Sequence, residues 1–132
     1  MLGLKLVPVI VATLVFWFMG FLWYGVLFND VWMVEQGVSA SDAGGFDVYM
    51  LGGILITLMQ VVGIGLVLKW KGDSDVVAAI KTTGLLWLLI ALPFVSYAFL
   101  YLPVHSSTLL VIDASHLFVG WLAAAAILSL MK

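Results

Sequence analysis

Residues 6–29 read LVPVIVATLVFWFMGFLWYGVLFN, a run of 24 residues without an Asp, Glu, Lys or Arg. A helix needs about 20 apolar residues to cross a hydrocarbon core about 30 Å thick. The run is longer than the apolar region of about 7–15 residues in a secretory signal peptide, and no small-residue cleavage site accompanies it. It therefore predicts a helix that stays in the membrane.

The rest of the chain repeats this pattern. It is 65% hydrophobic and 9% charged over 132 residues, whereas a soluble domain is about 25% charged. Long unbroken apolar runs also lack the two-residue alternation of a membrane β-barrel. We predict an all-α fold, an integral membrane four-helix bundle with short loops, as a single membrane domain over residues 1–132. The predicted spans lie near 5–28, 48–69, 80–102 and 108–131.

The composition also argues against several classes of protein. The chain has only five basic residues and no Arg, so we expect no nucleic-acid partner. It has no Cys, which excludes a disulfide framework, a thiolate metal site and a cysteine nucleophile. We expect no metal and no cofactor.

The lysines predict the orientation of the bundle. In a four-span arrangement all of them fall at one side, which the positive-inside rule makes cytoplasmic. Both termini are then cytoplasmic, and the loop of residues 29–47 faces outward. The five positions are Lys5, Lys69, Lys71, Lys81 and Lys132.

Small and weakly polar residues predict where the helices pack, because a Leu face gains nothing by leaving the lipid tails. A bundle of this size buries few contacts, so its glycine seams favour a homo-oligomer within the lipid bilayer. The predicted packing positions are Gly20 in the first span, Gly53, Thr57, Gln60 and Gly63 in the second, and Gly120 and Ala124 in the fourth.

Two ionisable residues, Asp113 and His116, lie inside the fourth span, where such groups are costly and mark candidate sites. Their spacing of three places them on one helix face. An up-and-down bundle brings further polar residues to the same depth: Tyr24, Asn29, Asp30, Tyr97, Tyr101 and His105. These residues predict a polar pocket in the outer half of the membrane.

This pocket has more than one interpretation. It is either a hydrogen-bonded polar plug that fixes helix register, or a ligand-binding or proton-relay site in which His116 titrates near neutral pH. A metal site made of His105, Asp113 and His116 matches no known ligand spacing. A hydrolase triad fails because Ser115 points away from Asp113 on a helix.

The chain resembles a bacterial membrane family catalogued as domain of unknown function 1761. The likeness rests on Gly20-Phe-Leu-Trp23-Tyr24-Gly25 with Phe28 and Trp32-Met33, on Trp87, and on the stretch from Leu110 to Gly120 that contains Asp113 and His116. The resemblance implies a four-span protein of the bacterial inner (plasma) membrane and supplies no activity.

We expect a non-enzymatic protein that binds a small or lipid-like ligand, or moves a solute or proton, through the outer-half pocket. The alternative is a purely structural or accessory membrane subunit without a ligand. A membrane enzyme is the third hypothesis.

Overall fold

A computed structural model describes residues 2–36, 48–72, 75–101 and 105–131. All regular structure in these ranges is helical, so the prediction of an all-α bundle is confirmed. The elements in chain order are α1 (Leu6–Phe21), π1 (Leu22–Leu27), α2 (Asn29–Gln36), α3 (Val48–Lys71), α4 (Val76–Leu86), π2 (Trp87–Ala91), α5 (Leu92–Tyr101) and α6 (Ser107–Leu130).

Four of the described stretches are long and apolar enough to cross a membrane: Leu6–Leu27, Leu51–Lys71, Val76–Tyr101 and Ser107–Leu130. They match the predicted spans. The third begins earlier than residue 80 because the Asp75 side chain caps α4, where it accepts a hydrogen bond from the Ala78 backbone N–H at 2.7 Å.

Helix α2 differs from the sequence-based prediction, which makes residues 29–47 a loop. Its first turn contains Asp30, and a carboxylate there favours a helix through the partial positive charge at the N-terminus. The loop prediction for residues 37–47 lies outside the described residues.

Helix α6 lies at the centre of the bundle, in contact with α1, α3, α4 and α5. Its composition allows this position, because small residues let neighbouring backbones approach closely in lipid. Gly120 and Ala124 are both buried on α6. The ring of Phe16 lies directly against Gly120, and a Cβ atom at that glycine would overlap the ring.

The core fills the half of the bundle that lies toward the lysines. It combines side chains from α1, α3, α4 and α6, and its largest fully buried member is Phe16, which is 1% exposed. The other buried members are Val9, Ala12, Val61, Ile64, Leu68, Ala79, Ala124 and Ala125. Large apolar side chains on the opposite helix faces, such as Leu14, Leu55 and Leu89, are exposed as lipid-facing residues are.

The predicted packing positions of the second span divide into two groups. Thr57 is buried, and Gln60 accepts a hydrogen bond from the Trp121 indole at 2.8 Å. A Cβ atom at Gly53 or Gly63 would meet nothing within 4 Å among the described residues. Close contact occurs instead at Gly65, where a Cβ atom would lie 2.8 Å from the Leu4 Cδ1.

Candidate functional site

Tyr24 and Asp113 form the centre of the polar site. The Tyr24 hydroxyl, on π1, donates a hydrogen bond to the Asp113 Oδ1 at 2.5 Å. Asp113 lies in the second turn of α6, inside the fourth span, and its side chain is half-buried. A carboxylate in this position needs a partner, because lipid offers none. The structure therefore brings together two of the residues that the sequence assigned to one pocket.

Two indole groups bind the same turn of α6. The Trp23 Nε1 donates to the Ser115 hydroxyl at 3.0 Å, and the Trp87 Nε1 donates to the Ala114 carbonyl oxygen at 2.9 Å. With Tyr24, these residues form an aromatic triplet (Trp23, Tyr24 and Trp87) that delivers three donors to residues 113–115. Such bonds hold helices in register when there is little hydrophobic drive between them.

The two π-helical segments explain how the triplet reaches one turn. Trp23 and Trp87 each accept a backbone bond from five residues further on, from Phe28 N at 2.9 Å and from Leu92 N respectively. This wider turn brings consecutive side chains closer in angle than an α-helix does, so Trp23 and Tyr24 both face α6. Single π-turns occur frequently at functional sites.

Pro93 follows the second π-helical segment. Proline has no N–H, so it leaves the carbonyl of Leu89 without its ordinary helical partner. The wider π-helical turn of π2, just before Pro93, accommodates this missing hydrogen bond. The Ser96 hydroxyl donates to the Leu92 carbonyl at 2.8 Å and not to Leu89.

His116 lies beside the Tyr24–Asp113 pair. Its ring meets the Tyr24 ring edge-on, with centroids 5.1 Å apart, and the Phe16 ring at 5.5 Å. Its Nε2 atom is buried and has no hydrogen-bond partner among the described residues. A Cβ atom at Gly20 would lie 3.2 Å from this Nε2, so the glycine leaves room for the imidazole. Gly20 thus shapes the site as well as the helix contact.

Other predicted pocket residues lie apart from this cluster. Tyr97 and Tyr101 stack on each other with centroids 6.0 Å apart, and their side chains are 61% and 76% exposed. His105 is exposed, and its Nδ1 hydrogen-bonds to the Phe99 carbonyl oxygen at 2.6 Å. Asn29 and Asp30 begin α2, where Asn29 is half-buried and Asp30 is exposed. Among the described residues, none of these five forms a hydrogen bond to Asp113.

Sequence reasoning missed Trp23, Trp87 and Ser115 as members of the site. Both tryptophans belong to the pattern that carries the family resemblance, but nothing in that pattern assigns them to the polar site. Ser115 was considered only as a nucleophile, and its hydroxyl instead donates to the Ile112 carbonyl at 3.0 Å. No three His, Asp or Glu side chains within the described ranges are grouped to hold a metal ion.

These observations define a multi-pass α-helical membrane protein with a polar cluster inside one end of its bundle. The chain belongs to the family described as protein of unknown function (DUF1761), whose model matches residues 7–129. Neither a curated protein nor a solved structure matches it.

Proposed function

We propose that this protein binds a small or lipid-like ligand at the cluster of Tyr24, Asp113 and His116, without catalysing a reaction. The observation that carries the proposal is that the His116 Nε2 is buried and has no hydrogen-bond partner among the described residues. It lies next to the Asp113 carboxylate, which accepts a hydrogen bond from the Tyr24 hydroxyl. Buried polar atoms are nearly always paired, and an unpaired one calls for an explanation. A polar group of a ligand supplies the missing partner.

The chemistry of the cluster restricts the ligand. Asp113 accepts hydrogen bonds and attracts a positive charge, while a neutral His116 Nε2 is either a donor or an acceptor. Aromatic rings of Phe16, Trp23 and Tyr24 surround the imidazole. A molecule with an apolar body and a hydroxyl or amine head therefore fits this site.

The packing below the cluster favours binding over movement of a solute or proton. Phe16 closes against Gly120 on the lysine side of His116, and Val9, Ala12 and Ala124 behind it are fully buried. Gln60, which lies deeper, is engaged by Trp121. The described residues in this half thus provide a packed apolar core, which opposes the passage of a charged species.

The alternative is a purely structural subunit. The aromatic triplet favours it, because three donors on one turn of α6 suffice to fix helix register. The two hypotheses differ in what Asp113 and His116 do: a structural role predicts a loss of stability when they change, and a binding role predicts a loss of ligand.

Native mass spectrometry of the purified full-length protein tests this proposal. We expect a co-purifying molecule that is absent from Asp113→Asn and His116→Gln variants, while their thermal unfolding stays close to wild type. Trp87→Phe is the matched control, since it removes a donor to α6 but touches neither residue; it should keep the ligand. Retention of the molecule by both site variants, or wild-type protein without one, would overturn the proposal and favour the structural role.

We further propose that the protein resides in the bacterial inner membrane with both termini in the cytoplasm. The support is the grouping of the lysines at one end of the bundle. Because the chain has no Cys, single cysteines can report topology. Ser39→Cys in cells should react with an impermeant thiol reagent, and Ser74→Cys should not; the reverse pattern would overturn the orientation.

We also propose that the protein forms a homo-oligomer. Gly53 and Gly63 support this, because each leaves open space where a second copy can approach α3 closely. Native mass spectrometry reports the subunit number directly. Gly63→Leu should shift the protein toward monomer, and a monomeric wild type would overturn the assignment.

A further inference from the structure

A second candidate site lies at the opposite end of the bundle. It is a cavity of about 450 Å³ whose lining includes Lys5, Lys69 and Ser129. Along α6, the rise from Asp113 to Leu128 is about 22 Å, so this cavity is separate from the proposed ligand site. Its volume is within the range of about 300–1,000 Å³ that is typical of ligand sites.

The lining combines positive charge with an apolar floor. Lys5 precedes α1 and Lys69 lies in the last turn of α3. The apolar part consists of residues such as Leu68, Ala79 and Leu128, and no described residue of the lining carries a carboxylate. At this end of the bundle, the described carboxylate of Asp75 is engaged in capping α4.

The segment before α1 packs against α3 at the charged side of the cavity. It folds back onto α3 through two close approaches, one between Gly3 and the Lys69 Nζ and one between Leu4 and Gly65. Gly3 has a φ of +82°, a conformation that favours glycine. A Cβ atom at Gly3 would overlap the Lys69 ammonium, so this glycine lets Lys69 lie at the same cavity as Lys5.

We propose that this cavity binds a phosphate-bearing anion, supplied as the head group of an anionic phospholipid. Two ammonium groups at one cavity repel each other, and an anion between them removes this cost. Basic pockets between membrane helices bind lipid head groups in this way. The apolar floor and the surrounding bilayer match the glycerol and acyl portions of a lipid, whereas a soluble phosphate ester would use only the two lysines.

Lipid titrations followed by native mass spectrometry test the proposal. The full-length protein in detergent is titrated separately with phosphatidylglycerol, phosphatidylcholine and glycerol phosphate. We expect tight binding of phosphatidylglycerol, weakened about thirtyfold in the Lys5→Gln/Lys69→Gln variant because each of the two lysines contributes to anion binding. Lys81→Gln, a lysine of the same end that does not line the cavity, is the matched control and should bind like wild type.

A second variant separates the cavity from its charge. Ser129→Leu keeps both lysines and fills part of the cavity, so it should also weaken binding of phosphatidylglycerol. If Ser129→Leu binds like wild type, or Lys81→Gln weakens binding as much as the double variant, the cavity is not the site. Competition by glycerol phosphate at similar affinity would support the phosphate site and assign it to a soluble ester. Equal binding of phosphatidylcholine and phosphatidylglycerol would overturn the preference for an anion.

Discussion

The aromatic ring of Phe16 occupies the space that a side chain at Gly120 would need. This contact joins the first and last spans at the level where the polar cluster meets the apolar core. It also closes the lysine side of the His116 environment.

Gly120→Ala should therefore destabilise the protein by about 1–3 kcal/mol, because the added methyl group overpacks a buried contact. Thermal or denaturant unfolding in detergent measures the change. Gly84→Ala is the matched control, since its methyl group would meet only the Leu122 Cδ2, at an ordinary contact distance of 4.0 Å; it should be neutral or stabilising by up to about 1 kcal/mol through helix propensity. Equal effects of the two substitutions would contradict the contact.

Tyr24→Phe should destabilise the protein by about 1–2 kcal/mol, because it removes the hydroxyl that serves the Asp113 carboxylate. A double-mutant cycle with Asp113→Val checks this, because valine cannot accept the Tyr24 hydroxyl, and the coupling energy should be clearly different from zero. Tyr97→Phe, an exposed hydroxyl, should stay within about 0.5 kcal/mol of wild type. Additive effects at Tyr24 and Asp113 would show that the bond contributes nothing.

Pro93→Ala should convert π2 toward an ordinary α-helix, because the new N–H can bond to the Leu89 carbonyl. The Trp87 indole would then move away from the Ala114 carbonyl. The indole N–H signal, assigned with Trp87→Phe, should shift in an NMR spectrum and exchange faster. Pro8→Ala is the control, because an N–H in the first turn of a helix has no helical partner. An unchanged Trp87 signal in Pro93→Ala would contradict the prediction.

Ser106→Ala should cost about 1 kcal/mol, since the Ser106 hydroxyl accepts the Leu109 N–H at 3.2 Å and caps α6. Ser107, one residue later, is of a residue type that can equally cap a helix N-terminus. Ser107→Ala, on an exposed side chain, should leave the free energy of unfolding almost unchanged. Chemical unfolding of both variants side by side decides between the two serines.

Most of the fold could be predicted from the sequence, because few backbone structures are stable within a lipid bilayer. Uncharged runs long enough to cross the bilayer must be helical, and the four spans follow. Helix α2 could not be found in this way, because it is short and its apolar content is low. The start of α6 differed by one residue, as helix ends commonly do.

The site was only partly predictable. Sequence position gives the depth of a residue in an up-and-down bundle, and Tyr24, Asp113 and His116 were grouped on that basis. The depth of a residue in the membrane does not determine the direction in which its side chain points around the helix axis. Tyr97 and Tyr101 were therefore grouped with the site by depth, although their side chains face outward. The π-helical turns at Trp23 and Trp87 change that rotation locally, so the 3.6-residue period could not have placed their indoles on α6.

The central position of α6 has a consequence for biosynthesis. The aromatic triplet belongs to the first and third spans, yet its acceptors Asp113, Ala114 and Ser115 lie on α6, the last helix of the described residues. Until that helix enters the membrane, these donors lack their native acceptors, and the ring of Phe16 lacks the glycine it packs against. Helices α1 and α3 pack on each other directly, so part of the bundle can form before α6 is inserted, whereas the polar site can be completed only afterwards.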